Sequence, residues 1–159
     1  MNGPWKLEFQ ANRGAPASIQ LDKLISWPDS TDAGVKYFSG TGTYTSTFDV
    51  TAEHFKTGQH VWIDLGDVQH TAEVMLNGKP LGIVWHAPYK VDATAAFKPG
   101  KNELTVKVTN AWVNRLIGDQ QAGATKITFT THNPYKAKSP LQASGLIGPV
   151  RLYSVVGGQ

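Results

Sequence analysis

Apolar and polar side chains alternate in short runs along most of the chain. Trp5, Leu7 and Phe9 share one face of an extended segment, with Lys6, Glu8 and Gln10 on the other. Tyr44, Ser46, Phe48 and Val50 alternate with Thr45, Thr47 and Asp49, and Val61, Ile63 and Leu65 with Trp62 and Asp64. Leu104, Val106 and Val108 set against Thr105, Lys107 and Thr109 make the cleanest strand. Ile127 and Phe129 stand among threonines, and Val150, Leu152 and Ser154 alternate with Arg151 and Tyr153. A period of two is the mark of strands with one buried face.

Turn residues divide these runs. Asn77-Gly78, between Val74-Met75-Leu76 and Leu81-Gly82-Ile83-Val84, predicts a hairpin whose two central residues need positive φ. Pro99-Gly100-Lys101-Asn102 predicts a second turn. Gly66 and Gly82 mark a bulge or a close backbone approach. Helical periodicity is nearly absent. Thr51 to Lys56 and Asp92 to Phe97 each predict about one turn, with Thr51 and Asp92 as N-caps. Residues 118–125 and 133–144 read as long loops. The pattern predicts an all-β fold, a two-sheet antiparallel β-sandwich, with residues 1–159 as a single domain.

Composition supports this. A chain of 159 residues buries roughly two-thirds of its unfolded surface in one core and needs no covalent staple. Only 17% of residues are charged, while 16 glycines and 9 prolines supply turns. The net charge of +3 comes without a dense basic run, so nucleic acid is not an expected partner. No apolar run approaches a membrane span, so a membrane is not expected either. Cysteine is absent and leaves the redox compartment open. Residues 1–5 do not read as a signal peptide, although a piece taken from within a secreted protein would look the same.

Catalytic equipment is sparse. Hydrolysis of a glycoside ordinarily needs two carboxylates at a fixed separation. Glu8, Glu53, Glu73 and Glu103 fall on the polar faces of predicted strands or in a turn, without a cluster. No serine lies in a strand-to-helix elbow. His54, His60, His70, His86 and His132 lack ligand spacing, and no acidic alternation suits calcium. Neither catalysis nor a cofactor is expected of this chain.

The stretch from Val61 to Asn110 carries an ordered set of motifs. His60-Val61-Trp62-Ile63-Asp64-Leu65-Gly66-Asp67 leads to Ala72-Glu73-Val74-Met75-Leu76-Asn77-Gly78-Lys79, then Trp85, Pro88-Tyr89, Lys98-Pro99-Gly100-Lys101-Asn102-Glu103-Leu104 and Val108-Thr109-Asn110. This order resembles the sugar-binding jelly-roll domain of family 2 glycosidases, a galactose-binding-like fold. Trp112-Val113-Asn114-Arg115-Leu116-Ile117-Gly118-Asp119 and Ser144-Gly145-Leu146-Ile147-Gly148-Pro149-Val150-Arg151-Leu152 are similar to segments of the C-terminal module of family 106 α-L-rhamnosidases. The resemblance spans roughly residues 37–155. It implies a non-catalytic, carbohydrate-binding module of a larger bacterial glycosidase, secreted or periplasmic. Its partners would be a polysaccharide or oligosaccharide and the parent's catalytic domain. Many domains of this fold hold a structural calcium, but no acidic cluster here requires one.

Two segments carry the candidate site. Trp85, His86 and Tyr89 crowd rings around Pro88. They either cover the apolar face of a sugar or plug the end of the sandwich. Trp112, Asn114, Arg115 and Asp119 follow a strand directly. Arg115 and Asp119 offer a donor fork and an acceptor for vicinal hydroxyls, or an ion pair that pins a loop. Trp27, Tyr37, Trp62 and Tyr135 are further rings, read as packing. One ring covering a sugar removes about 100 Å², worth roughly 2.5 kcal/mol. Association costs at least about 4 kcal/mol, so a site needs two rings or one ring with convergent polar groups. The alternative is an accessory domain that docks on a catalytic domain and shapes its active-site rim without binding sugar itself.

Overall fold

Alternation becomes a buried face wherever a strand finds partners on both sides. The computed structural model describes residues 1, 3–51 and 58–156. Strands β1 (Trp5–Phe9), β2 (Ser18–Leu21), β3 (Thr41–Val50), β6 (Thr71–Leu76), β7 (Lys79–Val84) and β9 (Gly100–Thr109) form one antiparallel sheet in the order β2-β1-β3-β9-β6-β7. At its centre, β3 and β9 pair along their whole length, from Thr41 opposite Thr109 to Val50 opposite Gly100. Tyr44, Leu104, Val106 and Val108 point from these two strands into the core.

The second layer is narrower. Strands β4 (Gln59–Asp64), β8 (Lys90–Asp92) and β11 (Arg151–Val156) form a three-stranded sheet. Strands β5 (Asp67–Gln69) and β10 (Gly145–Gly148) pair beside it. The chain passes from β4 to β5 at Gly66 and from β10 to β11 beyond Gly148. A Cβ on Gly66 would stand 2.4 Å from the Gly148 carbonyl carbon. The two backbones therefore cross in contact, as expected for Gly66. One core cluster, including Leu7, Tyr44, Ile63, Val68, Val74, Val106 and Leu146, fills the space between the layers. The expected all-β sandwich is the fold.

The hairpin at Asn77-Gly78 has both residues at positive φ, 53° and 76°. Asn77 does more than turn the chain. Its Nδ2 donates to Ala96 O and to Asn102 Oδ1, each at 2.8 Å, and its Oδ1 accepts from Glu103 N at 3.0 Å. Gly100 and Asn102 belong to β9 rather than to the turn expected there.

Two features depart from the sequence reading. Residues 125–131 form no strand despite the Ile127/Phe129 alternation. The N–H groups of Ile127 and Thr128 bond to a side-chain carboxylate instead of a neighbouring strand. Two short helices, α1 (Ala33–Lys36) and α2 (Val113–Gly118), appear where no helical period is visible. The helical turn expected at 51–56, with Glu53 and His54, lies outside the described residues apart from Thr51.

Candidate functional site

The connection from β9 to β10 leaves the large sheet at Thr109 and builds the site. Asn110 anchors its start. Asn110 Oδ1 accepts from Gly40 N at 2.9 Å, and Nδ2 donates to Phe38 O at 2.9 Å and to Ser144 Oγ at 3.1 Å. Helix α2 follows, with Trp112 at the N-cap position but without a side-chain capping bond. The backbone N–H of Arg115 donates to Ser39 Oγ, whose hydroxyl donates to Ala111 O. These bonds fix the helix in place of an amphipathic stripe, which six residues are too few to supply.

Three of the seven residues singled out in the sequence lie beneath the surface. Asn114 (1% exposed) donates to Gln142 O at 2.7 Å and to Ser144 Oγ at 3.0 Å, and accepts from Gln142 N at 2.8 Å. Arg115 and Asp119 are 6% and 5% exposed. Arg115 Nε lies 3.0 Å from Asp119 Oδ1, close enough for an ion pair but off the line of a hydrogen bond. Asp119 spends its oxygens on the returning chain. Oδ1 accepts from Ile127 N at 3.2 Å, and Oδ2 from Thr128 N at 2.9 Å and Thr128 Oγ1 at 2.5 Å. Burial opposes the charge on Asp119, but the Thr128 hydroxyl, the two N–H groups and Arg115 outweigh it. They hold its carboxyl below the usual carboxylate value.

This clamp shapes the surface above it. With Ile127 and Thr128 held down, Phe129 projects outward, 92% exposed. Across from it stands Trp112, 48% exposed. The two rings belong to one open groove of about 480 Å³, lined also by Arg13, Leu116, Ile127, Thr128 and Thr130. Arg13 comes from the turn after β1, and its guanidinium carbon lies 4.7 Å from the centre of the Trp112 ring. The groove thus combines two aromatic surfaces, two threonine hydroxyls and a guanidinium.

Trp85 stands apart. It follows β7, and the register runs from Val84 through Ala72 to Val108. Trp85 and Trp112 therefore leave the same end of the large sheet, two strand spacings apart, roughly 10 Å of backbone. The groove at Trp112 does not reach Trp85. Trp85 is 69% exposed, with the His86 ring edge-on to it at 4.8 Å. Tyr89 is half-buried against the core. Trp27 is core, and Tyr37, Trp62 and Tyr135 are half-buried. Among the described residues no three His, Asp or Glu side chains gather as metal ligands would.

Sequence reading singled out Trp112 among the residues lining this groove, but not Phe129 or Arg13. Phe129 was absorbed into an expected strand. Its signal was a lone large ring in a threonine-rich segment with no hairpin partner. Arg13 carries no signal, because only the fold brings the turn after β1 to the end of β9.

A family model described as glycosyl hydrolase 2 galactose-binding domain-like matches residues 29–143. The structure of a rhamnosidase from Novosphingobium sp. PP1Y is 52% identical, with a TM-score of 0.93 over 98% of this chain and 15% of that one. A protein of Formosa agariphila with the provisional name β-glucuronidase is 36% identical over 97% of this chain and 15% of its own length. A β-glucuronidase of Ruminococcus gnavus shares the fold, at 24% identity and a TM-score of 0.58 over 69% of this chain. The present chain thus spans about 15% of the rhamnosidase and of the Formosa protein.

Proposed function

The chain belongs to the glycosyl hydrolase 2 galactose-binding domain-like family, and on that premise we propose that it is a non-catalytic accessory domain of a larger glycoside hydrolase whose groove at Trp112 and Phe129 receives carbohydrate. The observation that carries this reading is the pair of exposed rings facing a polar rim. Two rings raise the apolar contribution to roughly 5 kcal/mol, past the association cost of about 4 kcal/mol. Hydrogen bonds donated by Arg13 and accepted by the Thr128 and Thr130 hydroxyls, whose own protons go to Asp119 Oδ2 and His132 O, at about 1 kcal/mol each, then bring the affinity toward the millimolar range. Asp119, the only acid between β9 and β10, is already engaged, so the groove lacks the carboxylate pair of a hydrolase. In this reading the parent is a secreted or periplasmic bacterial enzyme, where polysaccharides are met.

Titration calorimetry against a panel of plant and microbial oligosaccharides tests the proposal. Trp112→Ala and Phe129→Ala are each expected to weaken binding at least tenfold, with unfolding midpoints unchanged. Trp85→Ala is expected to bind as wild type. Heat with no glycan, or equal affinity in the Trp112→Ala, Phe129→Ala double variant, would overturn it.

The near-complete exposure of Phe129 favours a second reading, in which the ring is covered by the parent's catalytic domain. Labelling of a cysteine placed at position 129 separates the two. Protection in the whole enzyme without sugar supports docking, and free reaction supports the open groove.

A further inference from the structure

Resting on the reading that the groove receives carbohydrate, we propose that it selects an acidic sugar, a uronic acid residue whose carboxylate is taken by Arg13. The guanidinium of Arg13 lies over the Trp112 ring at 4.7 Å. Stacking uses the flat face of the group and leaves its N–H edge free. Arg13 has no hydrogen-bond or ion-pair partner among the described residues, although it is half-buried. A half-buried fork already held by a ring has surrendered part of its rotamer freedom before any ligand arrives. Its geometry matches the two oxygens of a carboxylate.

The turn that carries Arg13 is itself fixed. Asn12 and Gly14 flank it at φ 60° and 85°. A Cβ on Gly14 would stand 2.4 Å from Ile127 Cδ1. The turn therefore nests on the same segment that projects Phe129, and fork and ring hold a set separation.

The charge around the groove points the same way. The connection from β9 to β10 carries Arg115, Lys126, Lys136 and Lys138, and its single acid is Asp119. Arg115 and Asp119 neutralise each other below the surface. The three lysines are exposed, and Lys126 lines the adjoining groove on the far side of Phe129. The exposed charges of this connection thus carry one sign. A neutral sugar gains nothing from that field, whereas a uronate gains within a Debye length of about 8–10 Å.

The test titrates the 159-residue chain with oligogalacturonate, with the same oligomer methyl-esterified at its carboxyls, and with a sulfated galactan oligomer. The acid form is expected to bind at least tenfold more tightly than the ester at low salt. Arg13→Gln is expected to erase the acid-over-ester preference: ester affinity falls about fivefold with the lost hydrogen bond, acid affinity falls at least tenfold beyond that, and the unfolding midpoint stays in place. Arg13→Lys keeps the charge without the fork and is expected to fall between. Equal affinity for acid and ester, a preference that survives in Arg13→Gln, or equally tight binding of the sulfated galactan would overturn the uronate assignment alone. Absence of binding by every saccharide would overturn the groove reading as well.

Discussion

Thr128 closes on the carboxylate of Asp119 twice, through its backbone N–H at 2.9 Å and its hydroxyl at 2.5 Å. The carboxylate lies at the end of α2 and Thr128 in the middle of the returning segment. The contact therefore decides where Phe129 points. Asp119→Asn turns one acceptor into a donor facing N–H groups and leaves Arg115 without a counter-charge. It is expected to cost about 2–4 kcal/mol in denaturant unfolding and to weaken ligand binding in step. The pH dependence has a definite sign. The folded-state carboxyl sits below its usual value of 3.8, so the clamp's contribution is fully present above that value. It is lost as pH falls through the folded pKa. The stability gap between wild type and Asp119→Asn is expected to shrink below pH 3.8 and to stay level above pH 5. A gap that widens in acid would contradict the clamp.

Gly118 offers a test in which the sign matters. Alanine in a helix ordinarily gains up to about 1 kcal/mol over glycine. Here a Cβ would stand 2.4 Å from Arg115 Nη2 and 2.6 Å from Tyr37 Cβ. Gly118→Ala is expected to lose about 1–3 kcal/mol, measured by urea unfolding. A stabilised variant would show that Arg115 and Tyr37 are not held there.

Asn77→Gly keeps the positive φ that the hairpin needs and removes three side-chain hydrogen bonds. A residue that only turns the chain would show a change within about 0.5 kcal/mol. A loss of about 1–3 kcal/mol is expected instead.

Tyr44 Oη accepts from Trp27 Nε1 at 2.7 Å and from Leu146 N at 3.0 Å, joining the two layers inside the core. Burial pushes its phenol upward, so it stays neutral through the alkaline range. Tyr44→Phe strands two buried donors and is expected to cost about 2–4 kcal/mol by thermal or denaturant unfolding. An isosteric change with no loss would mean that water replaces the hydroxyl.

The sandwich was legible because its longest strands bury one face against a whole second layer. Leu104, Val106 and Val108 alternate since β9 has partners on both sides. The site was legible only in part. Trp112 announces itself as a ring beside a turn, but Phe129 sits in an alternation that no neighbouring strand takes up. Helix α2 is held by Ser39 and by Asn114's bonds to residues 142–144, contacts between distant parts of the chain that no local period encodes. Arg13 reaches its place through two left-handed residues and a ring contact. Asn114, Arg115 and Asp119 looked like ligand groups because the bonds that fix a loop use the same atoms as those that grip a sugar.

Asn114 and Gln142 exchange hydrogen bonds in both directions. Between them the chain makes its whole excursion over the groove and returns to the same point. Doubling the length of such a closed segment adds only about 0.6 kcal/mol of closure entropy. Inside that closure Ile127 and Thr128 stay tied to Asp119, so the stretch from Phe129 to Leu141 is where rings, charges or length are expected to change with least effect on the two β-layers.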